Sequence, residues 1–459
     1  MKTRFSPSPT GQMHLGNVRT ALFSYLFAKH QKGTFLLRVE DSDKARSRAE
    51  FTQLLKDDLT WLGLNWDEGP YFQSERKEIY DQYYRQLQEK SMVYPCFCTD
   101  EQLALSRKIQ LSSGQPPRYQ GTCQHLSSYE IAQKKSQGLQ PTLRFKVPEN
   151  QEIIFEDLVK GKQSFQSNDI GDFIIRRADE SASFFFCNAI DDAIMGVTHA
   201  IRGEDHLTNT PRQLLILKAL ELPLPSYGHL PLILSEEGES KLSKREGSQS
   251  LEYLRSEGYL PIAIMNYLAR LGHYYEQTHF MALQELISHF SLLHVGKTPA
   301  HFDKSQLLHW QKQAVMALDS SDFWHWINEK LDEDTKRLIP SEKHDECIHL
   351  IRSNILFPQE FAHWIKIFFL PIVFTEDAKR ILSQAKKEYA DEFLIAVESA
   401  GDDYQKVTKL MMEKCDIKGK ALFQPMRIIL TGQLQGPELP LVFKLLGKEG
   451  LREKITHCK

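Results

Sequence analysis

Two short segments carry residue types suited to handling phosphate. The first is Ser6-Pro7-Ser8-Pro9-Thr10-Gly11 followed by His14-Leu15-Gly16-Asn17, a turn opening onto a run with helical spacing. A helix start gathers unpaired backbone N–H groups and the positive end of its dipole, which together attract anions. Gly16 has no Cβ and admits close approach of a nucleotide. His14 can donate a hydrogen bond to charge developing on a phosphate. The plainer reading is a proline-rich turn with a capping histidine. The second segment is Lys241-Leu242-Ser243-Lys244-Arg245, after the apolar run Leu230–Leu234. Cations gathered in one loop suit a polyphosphate whose charge moves during reaction, although a solvated surface loop has the same composition. No G-x-G-x-x-G or Walker lysine loop competes with these two segments.

A third cluster has the look of a metal site. Cys96-Phe97-Cys98 and Cys123-Gln124-His125 form C-x-C…C-x-H, two close pairs of soft or borderline ligands separated by a loop. That arrangement suits a four-coordinate structural Zn2+. Cys187, Cys347, Cys415 and Cys458 read as free thiols.

The elements that must position these residues follow from local pattern. Thr3–Phe5 is extended, Leu15–His30 has helical spacing, Thr34–Val39 is a run of strand formers and Ala49–Leu62 is helical again. This rhythm predicts a parallel sheet covered by helices. From about Tyr94 to Asn188 short strands, turns and paired cysteines read as an insertion, in which Phe184–Phe186 is a candidate core strand. Ala189–Leu234 resumes strand–helix–strand. After about Ser250 amphipathic helices dominate, for example Leu260–Leu271 and Asp377–Ala400.

At 459 residues the chain is long enough for about three domains. With 41% hydrophobic and 25% charged residues and a net charge of -3, it is an ordinary globular composition, and a wholesale coat for polyanions is excluded. Seven cysteines, an odd number, argue against a disulfide framework and for a reducing cytoplasm. Met1–Thr10 has no apolar run of signal-peptide length, and Ile365–Phe374 is short and contains Pro371, so no membrane association is expected.

Taken together, RFSPSPTGQMHLGNVRTALF (4–23), FLLRVEDSDKARS (35–47), NAIDDAIMGVTHAIRGEDHLTNTPRQ (188–213), KLSKR (241–245) and ALFQPMRIILTG (421–432) resemble the class I aminoacyl-tRNA synthetases, and within them the bacterial-type glutamyl-tRNA synthetases. The resemblance spans essentially the whole chain. It implies a Rossmann-type catalytic domain of α/β class with a zinc-containing insertion, followed by an all-helical C-terminal half. The implied boundaries are 1–90 and 188–240 for the two catalytic halves, 91–187 for the acceptor-binding insertion, 241–310 for the KMSKS-type loop and stem-contact region, and 311–459 for the anticodon-binding region.

The same resemblance implies the chemistry: ATP, with Mg2+, activates L-glutamate as an adenylate, which is transferred to tRNA(Glu) by a cytoplasmic monomer. His14 and Lys244 would be catalytic. His14, Gly16, Asn17, Lys241, Lys244, Arg245 and Asp205 would contact ATP. Arg4, Ser6, Ser8, Glu40, Phe184, Asn188 and Arg202 would contact glutamate, Arg4 and Arg202 by gripping its two carboxylates and Glu40 by lying near its amino group. Asn17 replaces the second histidine of the general motif, and Phe184 stands where the family often has Tyr. Cys96, Cys98, Cys123 and His125 would hold zinc. Tyr119 is the rival to His125, since a short relative, glutamyl-Q-tRNA synthetase, uses Tyr in that setting. Lys406, Lys409, Lys414, Lys418 and Lys420 form a basic interval compatible with phosphate contact. Two other readings are weighed: a tRNA-modifying enzyme of the glutamyl-Q kind, which lacks the helical half, and an inactive zinc-dependent RNA-binding paralogue, which would not need His14, Lys244, Arg4 and Arg202 together.

Overall fold

A computed structural model describes residues 1–43, 46–235 and 250–458. Lys241, Lys244 and Arg245 lie outside the described residues. The chain divides into two compact units, one of residues 1–256 with 264–306 and one of 257–263 with 307–459.

The first unit is built on β1 (Lys2–Phe5), α1 (Leu15–His30), β2 (Thr34–Val39), α2 (Ala49–Trp61), β3 (Glu68–Phe72), α3 (Lys77–Glu89), β4 (Val93–Cys96), α4 (Asp100–Ser112), α5 (Ser128–Ser136), β5 (Thr142–Phe145), β6 (Glu152–Asp157), β7 (Gly161–Gln166), α6 (Ser167–Ile170), β8 (Phe173–Arg176), α7 (Phe184–Ile194), β9 (His199–Gly203), α8 (Thr210–Ala219) and β10 (Ser226–Leu230). Seven strands form one sheet in the order β3-β2-β1-β9-β10-β6-β7. All neighbours are parallel except the hairpin β6–β7. Parallel strands buried on both faces read as continuous apolar runs, which is why β2, Thr-Phe-Leu-Leu-Arg-Val, is buried from Phe35 onward. The helix α1 covers the sheet with Leu15, Val18, Leu22 and Leu26, spaced to share one face.

The insertion contributes a second, antiparallel sheet, β4-β5-β8, and its hairpin β6–β7 extends the main sheet beyond β10. Phe184–Phe186 is not a strand: it opens α7. Aromatic residues favour strands by propensity, but the buried positions Phe186, Ala189, Ile190 and Ala193 repeat at helical spacing, and Phe186 stacks on Tyr84 at 4.1 Å. The run Leu230–Leu234 is likewise split, β10 ending at Leu230 and a two-residue strand following at Ile233–Leu234.

The second unit contains, among the described residues, helices and no strand. The helix expected over Asp377–Ala400 is two, Glu376–Ser383 and Tyr389–Ala400. No helix is long and apolar enough to cross a membrane among the described residues.

Candidate active site

The carboxyl ends of β1, β2 and β9 meet at a cavity of about 410 Å³, the customary ligand position in an open parallel sheet. Its wall contains Arg4, Ser6, Ser8, His14, Gly16, Asn17, Glu40, Phe184, Asn188, Arg202 and Asp205. Every described residue expected to contact ATP or glutamate thus faces one space. Pro231, Leu232 and Ile233 line it too, and Ser250 pairs with His14 in an isolated antiparallel bridge. The described residues that flank positions 236–249, Ile233 on one side and Ser250 on the other, therefore lie at this cavity and beside His14.

His14 caps α1 differently from the expectation of bare helix amides. Its Nδ1 accepts from Gly16 N at 3.1 Å and Asn17 N at 3.4 Å, and Val18 N donates to His14 O at 3.1 Å. The accepting Nδ1 puts the ring proton of the neutral form on Nε2. The helix start thus offers its dipole and an imidazole donor rather than a row of open N–H groups. Gly16 has a local reason as well: a Cβ there would come within 2.9 Å of the His14 ring.

Beneath the cavity lies a buried charge cluster that only folding assembles. On α7, Phe184, Asn188, Asp191 and Asp192 recur at the spacing that shares one helix face. Asp192 accepts from Arg4 Nε at 3.1 Å and pairs with Arg38 Nη2 at 2.8 Å. Arg38 is fully buried and its Nη2 also donates to Asn188 Oδ1 at 2.9 Å. Asp191 accepts from Tyr80 Oη at 2.7 Å, Arg76 Nε at 2.8 Å and Gln73 Nε2 at 3.0 Å. Glu40 sits at the edge of this cluster, its carboxyl pushed up to about 7 by burial against the opposing pull of Arg38 and Arg4.

Arg202 has a different environment. It is 5% exposed, and among the described residues no carboxylate lies within ion-pair distance. Its Nε donates to His229 Nε2 at 3.2 Å and its Nη2 to Thr210 Oγ1 at 2.8 Å, while Nη1 is buried with no hydrogen-bond partner. Burial lowers its guanidinium to about 10. A buried cation with one open donor and no carboxylate partner among the described residues suits an incoming anion. Ser6 Oγ is a second buried polar atom without a partner on the same wall. His206, also on the wall, stacks on Phe184 at 5.1 Å and is depressed to about 4 by burial and the adjacent Arg202, so it is neutral.

In the insertion the ligand atoms of Cys96, Cys98 and Cys123 all lie within 4.8 Å of one another. His125 is exposed and stands outside this group. Tyr119 lies against the thiols: its hydroxyl is 3.3 Å from Cys96 Sγ and 3.5 Å from Cys98 Sγ and accepts from Cys123 N at 2.9 Å. The Arg144 guanidinium covers the Tyr119 ring at 3.7 Å. In the helical unit Lys406, Lys409, Lys414, Lys418 and Lys420 are exposed, with Lys406 paired to Asp403 at 3.0 Å.

Sequence reasoning missed Arg38, Asp191, Asp192, His206 and His229. A usable signal existed: one arginine inside the apolar strand run 34–39 and an Asp-Asp pair inside the apolar stretch 189–194 are charges that burial obliges to find each other.

A parallel sheet with its cavity at the strand ends and a histidine-capped helix after β1 define a nucleotide-using class I synthetase fold. Residues 1–309 match the family described as tRNA synthetases class I (E and Q), catalytic domain, and residues 314–459 match the anticodon binding domain. The chain belongs to this family of class I tRNA synthetases. It is 51% identical over 467 residues to glutamate--tRNA ligase 2 of Coxiella burnetii (strain RSA 331 / Henzerling II), covering 100% of this chain and 99% of that protein. Glutamate--tRNA ligase 2 of Alkalilimnicola ehrlichii is 47% identical over 471 residues, covering 100% and 98%. The crystal structure of a glutamate tRNA ligase from Elizabethkingia meningosepticum CCUG26117, in complex with its amino acid, superposes with a TM-score of 0.88 at 29% identity over 99% of this chain and 98% of that one.

Proposed function

We propose that this enzyme joins L-glutamate to the 3′ end of tRNA(Glu) at the expense of ATP, acting as a monomer in the cytoplasm. The observation that carries the amino-acid choice is Arg202, buried, without a carboxylate partner among the described residues and open at Nη1. A carboxylate side chain satisfies both its charge and its donor, whereas the amide of glutamine satisfies only the donor. Arg4 takes the α-carboxylate. Because Asp192 already neutralises Arg4, that grip is a hydrogen bond more than a net charge. Ionised Glu40 receives the α-ammonium, and Ser6, Ser8, Phe184 and Asn188 complete the wall.

In the first step an α-carboxylate oxygen attacks the α-phosphorus of ATP and pyrophosphate leaves with the P–O bond electrons. His14 Nε2–H donates to the phosphate as charge develops, with Asn17, Gly16 and Asp205 around the nucleotide. Lys241, Lys244 and Arg245 neutralise the leaving phosphates, whose charge Mg2+ shares. In the second step a hydroxyl of the terminal adenosine attacks the adenylate carbonyl and AMP leaves. Residues 314–459, with their exposed lysines, hold the anticodon end of the tRNA.

The thiol group fits a structural zinc. Four ligands around zinc at a Zn–S length of ~2.3 Å put sulfurs about 3.8 Å apart, and Cys98 Sγ and Cys123 Sγ are 3.7 Å apart. Cys96, Cys98 and Cys123 would bind it as thiolates, with Tyr119 rather than His125 at the fourth corner. When bound, the metal ties the two ends of the insertion's loop together and supplies folding energy.

The test is transfer of labelled glutamate to tRNA(Glu). Intact tRNA should be charged, and tRNA lacking its terminal adenosine should not. Label that still reaches the truncated tRNA would overturn ligation at the 3′ end in favour of base modification.

A further inference from the structure

The guanidinium of Arg202 is held from behind by side chains that do not line the cavity. The strands β9, β10 and β6 lie side by side, with Arg202 in register with His229 and Tyr227 in register with Asp157. His229 and Thr210 are fully buried and Asp157 is 3% exposed. His229 Nδ1 lies 2.5 Å from Asp157 Oδ2. The other oxygen, Asp157 Oδ1, accepts from the backbone of Lys160 at 2.8 Å, Val159 at 2.9 Å and His229 at 3.2 Å. An arginine Nε–H can only donate, so His229 Nε2 is the acceptor in its 3.2 Å contact with Arg202, and the ring proton must sit on Nδ1, facing Asp157. Burial holds His229 below its ordinary value. Against the pull of burial, hydrogen bonds from His229 and the turn amides hold Asp157 below its own. The pair is therefore a neutral imidazole backed by a carboxylate.

We propose that Asp157 and His229 are positioning residues for recognition of the substrate's side-chain carboxylate. Asp157 fixes the tautomer, His229 Nε2 pins Arg202 Nε, Thr210 pins Nη2, and Nη1 alone is turned to the ligand. The choice of imidazole has a physical reason. A carboxylate placed directly on Arg202 would orient it equally well, but would neutralise the charge that must bind the substrate. The imidazole transmits orientation while keeping the negative charge one residue farther away. A long side chain pinned at two nitrogens also loses little rotamer freedom on binding.

This inference rests on the reading of Arg202 as the carboxylate anchor, so the experiment separates the two. Full-length His229→Leu, His229→Gln, Asp157→Asn and Arg202→Gln are compared in glutamate- and glutamine-dependent ATP–pyrophosphate exchange with tRNA present, with the KM for ATP and thermal melts alongside. His229→Leu should raise the glutamate KM by roughly 10- to 100-fold with kcat and the ATP KM little changed, and should narrow the preference over glutamine. His229→Gln, whose Oε1 can accept from Arg202 Nε, should recover most of the loss. Asn at 157 keeps an oxygen for the Val159 and Lys160 amides but turns an N–H toward Nδ1, so Asp157→Asn should show the same KM signature. It decides the matter where His229→Leu fails to fold. Glutamate KM within roughly twofold of wild type in folded His229→Leu or Asp157→Asn, or a loss confined to kcat, would overturn the positioning role while leaving Arg202 as the anchor, provided Arg202→Gln is impaired. An unimpaired Arg202→Gln would remove the anchor and the inference together.

Discussion

Replacing Arg202 by glutamine isolates the charge on which amino-acid choice depends. The side chain is 5% exposed, has no carboxylate partner among the described residues and has one buried donor open. A buried carboxylate deprived of its cation loses about 3–5 kcal/mol. At ~1.4 kcal/mol per factor of ten, that is roughly 10² to 4 × 10³ in kcat/KM for glutamate. Glutamine at 202 can still donate one hydrogen bond, which favours the lower end of the range. It cannot satisfy both His229 Nε2 and Thr210 Oγ1, which together accept from two arginine nitrogens at 3.2 and 2.8 Å. The fold should nonetheless survive, since the substitution also removes an unmatched buried charge. The assay is steady-state ATP–pyrophosphate exchange as a function of glutamate at saturating ATP, with the ATP KM as internal control. A change below about threefold in kcat/KM for glutamate, or an equal loss for both substrates, would refute the reasoning.

Other outcomes follow from the same geometry. Glu40 must be ionised to receive an ammonium group and its carboxyl is pushed up to about 7, so the glutamate KM should rise about tenfold per pH unit as pH falls below that value and level off above it; Glu40→Gln should abolish this dependence in a pH series at saturating ATP. His14→Ala removes both the Nε2 donor and the cap on Gly16 and Asn17, and should lower kcat on the order of 10²-fold while costing about 1 kcal/mol in a denaturation curve. Asp192→Asn leaves Arg4 and Arg38 without their shared partner, and urea unfolding should show a loss of about 3–5 kcal/mol. Metal analysis should find zinc, and Tyr119→Phe should weaken its retention against a chelator while His125→Ala should not.

The sheet and its site were legible in the sequence to different depths. Leu15–His30 and Thr34–Val39 are found with the expected bounds because their apolar spacing is what the core requires. Arg4, Glu40, Asn188 and Arg202 could be named from motif match, and the cavity brings them together. What holds them could not be named in the same way. Arg4 meets Asp192 across 188 positions and His229 meets Asp157 across 72, separations that no local pattern encodes. Local propensity also misled where packing decided. Phe184–Phe186 has strand-forming side chains but begins a helix, and residues 384–388, all good helix formers, interrupt one. Of the two residues weighed beside the three cysteines, His125 is exposed, whereas the loop folds Tyr119 onto the thiols, a choice that ligand chemistry read from the sequence could not make.

What the cavity activates is the most direct question to put to this enzyme. Purified zinc-replete protein should be assayed for ATP–pyrophosphate exchange with glutamate and with glutamine, each with and without tRNA(Glu). Exchange with glutamate and none above background with glutamine is the expected result. Comparable exchange with glutamine would contradict the role given to Arg202, and no exchange under any condition from folded protein would contradict the ligase itself.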